Sequence, residues 1–532
     1  MRTEAADSAI SAGRLKRKGV HGVFARTYGG TTLGVDGLII DVEVDASAGL
    51  PAFDIVGLPD TAVKESKERV RTAIRNSGIV LRQEKVTVNL APAGIHKDSP
   101  GLDLPIAVGL LAAYGMVDAK KLEKTLMAGE LSLEGECRPV RGVLPMTVQA
   151  KEQGFERVFV PAVNATEALL VGGIQVYGVH TLLEVVQDLN GEQPLQPAKA
   201  VATAGKRQDS LDDFADVQGQ FAAKRALEIA AAGGHNILMV GVPGAGKTML
   251  ARRLNSILPG LTREEALEVT KIYSIAGLLP PDGGLLLQRP FRSPHHTASM
   301  VAMIGGGRIP RPGEVTLAHH GVLFLDELPE FNKTTLEVLR QPLEDRKVTI
   351  SRVHATLTFP ASFILVAAMN PCPCGYHGDA SGGHTCACTP AEIRRYTRKL
   401  SGPLLDRIDI HIRVPRVSYQ ELTVKRPAES SAAIRERVTA ARQRQWERLG
   451  ACGIFSNAQM NHRLIQQTCS LSNGAQKLLE VAFSRMKFSA RSYDRILKVS
   501  RTIADLSGQT EIREEHVGEA IQLRSNIDCN VD

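Results

Sequence analysis

The sequence predicts two consecutive α/β units followed by a helical C-terminal part, with a nucleotide site in the second unit. Three observations carry this. Strand-like and helix-like stretches alternate from about residue 20 to 190. Three nearly continuous apolar runs, Asn236–Val240, Val322–Leu325 and Phe363–Ala367, have the composition of parallel strands buried on both faces. Past Arg416 strand signals fade, and helical periods with basic faces take over.

A chain of 532 residues suggests about three domains. With 43% hydrophobic and 23% charged residues, it has material for more than one core. A net charge of +7 permits a nucleic-acid partner and fits an ordinary basic surface equally well. No uninterrupted apolar run reaches the roughly 18 residues of a helical membrane span. Residues 1–20 carry Arg14, Lys16, Arg17 and Lys18 with no apolar stretch behind them, which reads as a disordered arm rather than a secretory signal. Four of the eight cysteines fall within residues 372–388, as expected of a cytoplasmic chain that uses thiols for metal or redox chemistry.

Within 21–190, Leu38–Val44 and Lys85–Leu90 read as strands. Asp60–Ser77 has a helical period, with Lys64, Lys67, Glu68 and Arg71 on one face. Leu102–Tyr114 is Ala-rich and apolar, as a buried helix is; Met146–Gly154 reads as helix and Arg157–Val160 as strand. Residues 191–212 hold Pro194, Pro197, Gly205, Lys206 and Arg207 without apolar period and read as a linker. The second unit spans 213–416, and 417–532 carries the helices Ser430–Leu449, Ala475–Met486, Ala490–Leu506 and Glu514–Leu523.

Gly241, Val242, Pro243, Gly244, Ala245, Gly246, Lys247 and Thr248 fit the phosphate-binding pattern G-x-x-x-x-G-K-[ST]. A buried strand precedes them and an amphipathic helix, Met249–Leu258, follows. Glycines let backbone N–H groups converge on phosphate oxygens, and the helix N-terminus adds partial positive charge. Lys247 would reach the β- and γ-phosphates of ATP, and Thr248 would ligate Mg²⁺. The strand Val322–Leu325 delivers Asp326 to the same Mg²⁺ shell, and Glu327 to the attacking water. Asn370, after the third apolar run, either holds that water or simply turns the chain before Pro371. Arg407, in Leu404–Asp409, either neutralises transition-state charge in a neighbouring subunit or pairs with Asp406 or Asp409.

The order of these motifs resembles the AAA+ ATPases of the magnesium-chelatase clade. Arg289–Thr297, Gly305–Gly307, Pro312–Phe331 and Asn370–Gly375 narrow the resemblance to the YifB/ComM family, over about residues 20 to 525. It implies an AAA+ core at 213–416, with Asn370 as sensor 1, Arg407 as arginine finger and Arg491 as sensor 2, Arg495 being the second choice. It implies a homo-hexameric ring, formed with ATP or DNA, that works as a helicase promoting branch migration in recombination and natural transformation. Single-stranded or branched DNA and recombination proteins would be its partners. Helicases of this clade carry a pore hairpin where Arg346–Phe359 alternates, so Arg352 and His354 are candidate DNA contacts, with Arg346 and Lys347 behind them. Arg308 and Arg311 offer a second loop. With 4% aromatics and one Trp, binding would be led by the phosphate backbone rather than by stacking.

Residues 21–190 resemble the Lon protease domain, of the ribosomal S5 domain 2-like α+β fold, notably at His96–Asp103 and Gly135–Pro145. The positions of the Lon Ser and Lys fall on Gly101 and near Leu144, which supply neither nucleophile nor base. Ser99 and Lys97 stand off those positions, so the fold is expected to be catalytically silent. In the loop 371–390, Cys372, Cys374, Cys386 and Cys388 offer four thiolates for Zn²⁺. The remaining cysteines are isolated, and His295–His296 and His319–His320 are expected in structural roles. The rival readings are a metal-chelatase motor subunit, whose resemblance covers the ATPase part alone, a chaperone-like remodeller and an ATP-dependent protease.

Overall fold

A computed structural model describes residues 24–95, 97, 99–199, 212–280, 283–307, 310–352, 355–378, 385–417, 428–486 and 488–525. The expected arm at 1–20, most of the linker, and Arg308, His354 and Cys529 lie outside these. The chain divides into two compact units, Met1–Thr203 with Ser274–Gly284, and Ala204–Tyr273 with Leu285–Asp532.

The first unit is built on strands β1 (Ala25–Leu33), β2 (Asp36–Ser47), β3 (Ala52–Val56), β4 (Lys85–Ala91), β5 (Thr125–Met127), β6 (Arg157–Pro161) and β7 (Gln175–Val179). They form one mixed sheet in the order β3-β4-β2-β1-β5-β6-β7. Helices α1 (Thr61–Asn76), α2 (Asp103–Ala113), α3 (Val143–Glu152) and α4 (Leu182–Asn190) accompany it. Every residue of α2 is buried: ten of its eleven are uncharged and mostly apolar, and Asp103 at its start is paired with Arg69 at 2.8 Å. The chain stays attached beyond the expected linker start at 191: Leu195 N–H donates to Asp188 and Ala198 N–H to the Val176 carbonyl, each at 2.8 Å.

Among the described residues, no hydrogen bond joins Lys97 to Ser99. The Lys97 side chain is fully buried and its ammonium donates to the carbonyls of Gly57, at 2.8 Å, and Pro92. Ser99 Oγ accepts the Gly101 N–H at 3.2 Å instead of facing a base. Leu144 is wholly buried, and its N–H donates to Glu167 at 2.8 Å.

The second unit contains strands β8 (Ile237–Gly241), β9 (Phe291–Arg292), β10 (Val322–Leu325), β11 (Lys347–Arg352), β12 (Ala355–Pro360), β13 (Ile364–Met369) and β14 (Ile410–Val414). Five of them make a parallel sheet in the order β9-β10-β13-β8-β14. β8, β10 and β13 are buried at every position, which is why they read as unbroken apolar runs. β11 and β12 form the expected antiparallel hairpin, and residues 361–363 alone separate it from β13.

Helices α5 (Phe221–Gly233), α6 (Lys247–Ile257), α7 (Pro390–Thr397), α8 (Ser431–Leu449), α9 (Asn473–Met486), α10 (Ala490–Leu506) and α11 (Glu514–Ser525) are among the helices of the unit. The C-terminal helices share one apolar core with the sheet, in which Val438, Ala441, Ile496 and Ile503 join Ile237, Met239 and Ile410. Asp213 also ties α8 to the start of the unit by accepting the Ser431 N–H at 2.8 Å.

Candidate nucleotide site

β8 leads into a loop that needs its glycines. Gly244 and Gly246 have φ of 79° and 87°, a region that side-chain-bearing residues seldom adopt. A Cβ on Gly241 would stand 2.4 Å from the Val414 carbonyl oxygen of β14. Lys247 opens α6, with its ammonium 2.6 Å from the Gly241 oxygen, 3.1 Å from the Val242 oxygen and 3.0 Å from Asn370 Oδ1. Burial holds the pKa of Lys247 down, while Asp326 and Glu327 oppose that shift.

The Thr248 hydroxyl donates to Asp326 Oδ2 at 2.8 Å. Neighbouring oxygens of an octahedral Mg²⁺ with bonds near 2.1 Å stand about 3 Å apart, so this pair fits that ion. Glu327 follows with a left-handed φ of 51°. That turn leaves its side chain 56% exposed, in contrast to the wholly buried strand before it. Asn370 arrives between the loop and the acidic pair because β13 is wedged between β8 and β10.

His296 completes this edge, with Nδ1 3.5 Å from Glu327 Oε2. From the sequence, His296 is expected only in a structural role. Its one signal was position: it follows β9, the neighbour of β10, by four residues. The other pair, His319 and His320, meets Glu268. His319 Nδ1 accepts the Ser362 N–H at 3.0 Å, so its Nε2 carries the proton and donates to Glu268 at 3.2 Å.

Arg407 pairs with neither Asp406 nor Asp409. It is 8% exposed and bonds Glu344 and, at 2.7 Å, the Pro403 carbonyl. It lines a cavity of about 380 Å³ with Glu337, Arg340 and Gln341. Arg491 sits exposed on the first turn of α10, beside a cavity of about 600 Å³ with His462, Glu480 and Asp494. Arg495 is a structural ion pair of the buried Asp409, which also accepts from His235 at 3.2 Å.

On the hairpin, Lys347 is exposed and Arg352 closes β11. Arg346 is turned inward, with Nη1 3.5 Å from Ser362 Oγ, and burial pushes its pKa down to about 10. Arg346 thus bonds within its own chain at the base of the hairpin. Arg311 is exposed. The four clustered cysteines converge, with all Sγ atoms within 4.8 Å of one another.

A parallel sheet bearing a P-loop, an acidic pair and a polar amide on adjacent strand ends defines a P-loop ATPase of the AAA+ class, for which ATP and Mg²⁺ are the implied ligands. Residues 213–422 match the family described as magnesium chelatase, subunit ChlI, and 428–524 match its C-terminal family. Residues 42–164 match the family described as subunit ChlI of Mg-chelatase, so the chelatase resemblance extends beyond the ATPase part. Competence protein ComM of Haemophilus influenzae is 44% identical over 514 residues, covering 94% of this chain and 98% of that protein. The uncharacterized protein YifB of Escherichia coli is 44% identical over 497 residues, covering 93% and 95%. Lon protease 2 of Bacillus subtilis is 27% identical over 175 residues, covering 30% and 31%. The chain belongs to the YifB/ComM family. Among the described residues no helix is long and apolar enough to cross a membrane.

Proposed function

We propose that this chain is a cytoplasmic ATP-driven DNA motor that promotes branch migration during recombination and the uptake of transforming DNA. The observation that carries this reading is the convergence of Lys247, Thr248, Asp326, Glu327 and Asn370 at one sheet edge, with a hairpin leading into the strand that bears Asn370. Glu327 polarises the attacking water and Lys247 grips the phosphates. Arg407 of a neighbouring copy completes the site in a homo-hexamer, and Arg491 senses the nucleotide from the lid. Lys347, Arg352 and His354 track the DNA backbone. The organisation is an arm at 1–20, a silent Lon-like domain at 21–190, a linker at 191–212, the AAA+ core at 213–416 and a lid at 417–532. Cys372, Cys374, Cys386 and Cys388 hold zinc. The name of the Haemophilus relative, a competence protein, favours this reading.

Measuring ATP turnover with single-stranded DNA, branched DNA, porphyrin and unfolded protein tests it. Stimulation by DNA alone is expected. Turnover that ignores every DNA form sinks the motor reading. A chelatase motor subunit is the second reading, favoured by the family descriptions at both ends of the chain, and stimulation by porphyrin with its metal would identify it.

A further inference from the structure

The backbone that carries Arg407 is gripped from two sides. From the sheet, Asn236 Nδ2 donates to the Arg407 carbonyl at 3.1 Å. From the helices, Arg524 in the last turn of α11 has Nη1 2.9 Å from the Ile408 carbonyl oxygen and 3.5 Å from that of Asp409. Nη2 of the same guanidinium donates to Ser492 Oγ at 3.2 Å and stands 3.8 Å from Asp406. Arg524 is 8% exposed, and Ser492 is buried with it.

Ser492 follows Arg491 on the first turn of α10, and its N–H donates to Ser489 Oγ at 3.2 Å in the cap of that helix. One guanidinium therefore joins the residue after Arg491 to the residue after Arg407. These are the two arginines read as nucleotide contacts, one for the chain's own site and one for the neighbour's. A guanidinium is planar and its donors form a rigid fork, so what one arm holds is fixed relative to what the other holds. The stem of Arg524 is rooted in the core, since Val517, Ala520 and Leu523 of α11 pack in one cluster with Ile496 of α10 and Ile410 of β14.

We infer that Arg524 is the positioning residue that couples one ATP site to the next. A shift of the first turn of α10, as Arg491 meets or leaves a nucleotide, moves Ser492. Arg524 carries that shift to the backbone that presents Arg407 to the neighbouring copy. The inference rests on the reading of Arg491 and Arg407 as nucleotide contacts and goes beyond it by naming the link between them.

The test compares the unaltered full chain with Ser492→Ala and Arg524→Lys. Ser492→Ala removes the acceptor of one arm and leaves the bond to Ile408 and the Ser489 cap in place. Arg524→Lys keeps the charge as a point donor that cannot span both groups. Turnover is followed against ATP concentration to give kcat and the Hill coefficient, and thermal unfolding is recorded on the same samples. The expected Hill coefficient is about 2 or more for the unaltered protein and about 1 for both variants. Their kcat should fall far less than that of Arg407→Ala. Cooperativity retained in either folded variant overturns the inference, even where the unfolding temperature has dropped, because Arg524 is then structural glue. An unaltered protein that hydrolyses ATP without cooperativity overturns it as well. Ser492→Ala decides the matter if Arg524→Lys does not fold. Failure of the underlying reading shows elsewhere: mixtures of Glu327→Gln and Arg407→Ala proteins that stay inactive discard Arg407 as a shared residue, whatever Ser492 and Arg524 do.

Discussion

The ammonium of Lys247 lies 3.0 Å from the carboxamide oxygen of Asn370, 123 residues further along the chain. The contact makes the amide a partner of the phosphate-binding lysine. Lys247→Ala should abolish nucleotide binding, read by titration with a fluorescent ATP analogue. Asn370→Ala should still bind the analogue and lose at least about tenfold in turnover, since it removes a polar group aimed at developing charge. Normal turnover in Asn370→Ala would return that residue to the status of a turn former.

Arg407 is held within its own chain by Glu344. If it serves a neighbour, Arg407→Ala should reduce steady-state hydrolysis about 10³-fold, while Glu327→Gln binds ATP without turning it over. Mixing the two inactive proteins creates some interfaces with an intact Glu327 on one side and an intact Arg407 on the other. ATPase activity should therefore reappear on mixing. A mixture as inactive as its parts would place Arg407 outside the neighbour's site.

Lys97 spends its donors on the carbonyls of Gly57 and Pro92, and Ser99 accepts the Gly101 N–H. No hydrogen bond joins the two groups, and the Lys97 ammonium is turned to the backbone. Purified protein should cleave neither casein nor short fluorogenic peptides, with or without ATP, and Ser99→Ala should change nothing. ATP-dependent cleavage lost in Ser99→Ala would revive the protease.

His411 lies within β14 at 8% exposure, and burial together with the Arg524 guanidinium pushes its pKa down to about 4. An unfolded histidine titrates near 6.5. Between those values the unfolded chain binds a proton that the folded chain refuses, so stability falls as pH drops from about 6.5 towards about 4. The loss from this group is at most about 3 kcal/mol at the acid end. His235, also buried and held below its ordinary value by desolvation, acts with the same sign. His411→Leu should flatten the urea-unfolding midpoint across that range, and an unchanged slope would show that the histidine is already charged when folded.

Much of the second unit was legible because burial on both faces leaves an unmistakable apolar run. Val322–Leu325 agrees residue for residue, and β11 and β12 form the hairpin expected over Arg346–Phe359. The strand order was not legible, since nothing local says that β13 enters between β8 and β10. β1 escaped notice for a packing reason. A Cβ on Gly29 would meet Leu102 at 2.6 Å and one on Gly30 would meet Met146 at 2.8 Å, so α2 and α3 demand glycine inside a strand. α5 was hidden because Ala226–Gly233 is buried throughout, which erases any amphipathic period. His296 was passed over because its partner Glu327 is brought to it only by the pairing of β9 with β10.

Residues 361–363 are the whole of the connection between the hairpin and β13. A paired strand barely stretches, because each residue already spans close to its maximum of about 3.3 Å. β13 is paired along both edges, with β8 and with β10, so it cannot slide within the sheet. It is an anchor: the strand that fixes where the hairpin leaves the sheet is the same strand that sets Asn370 beside Lys247.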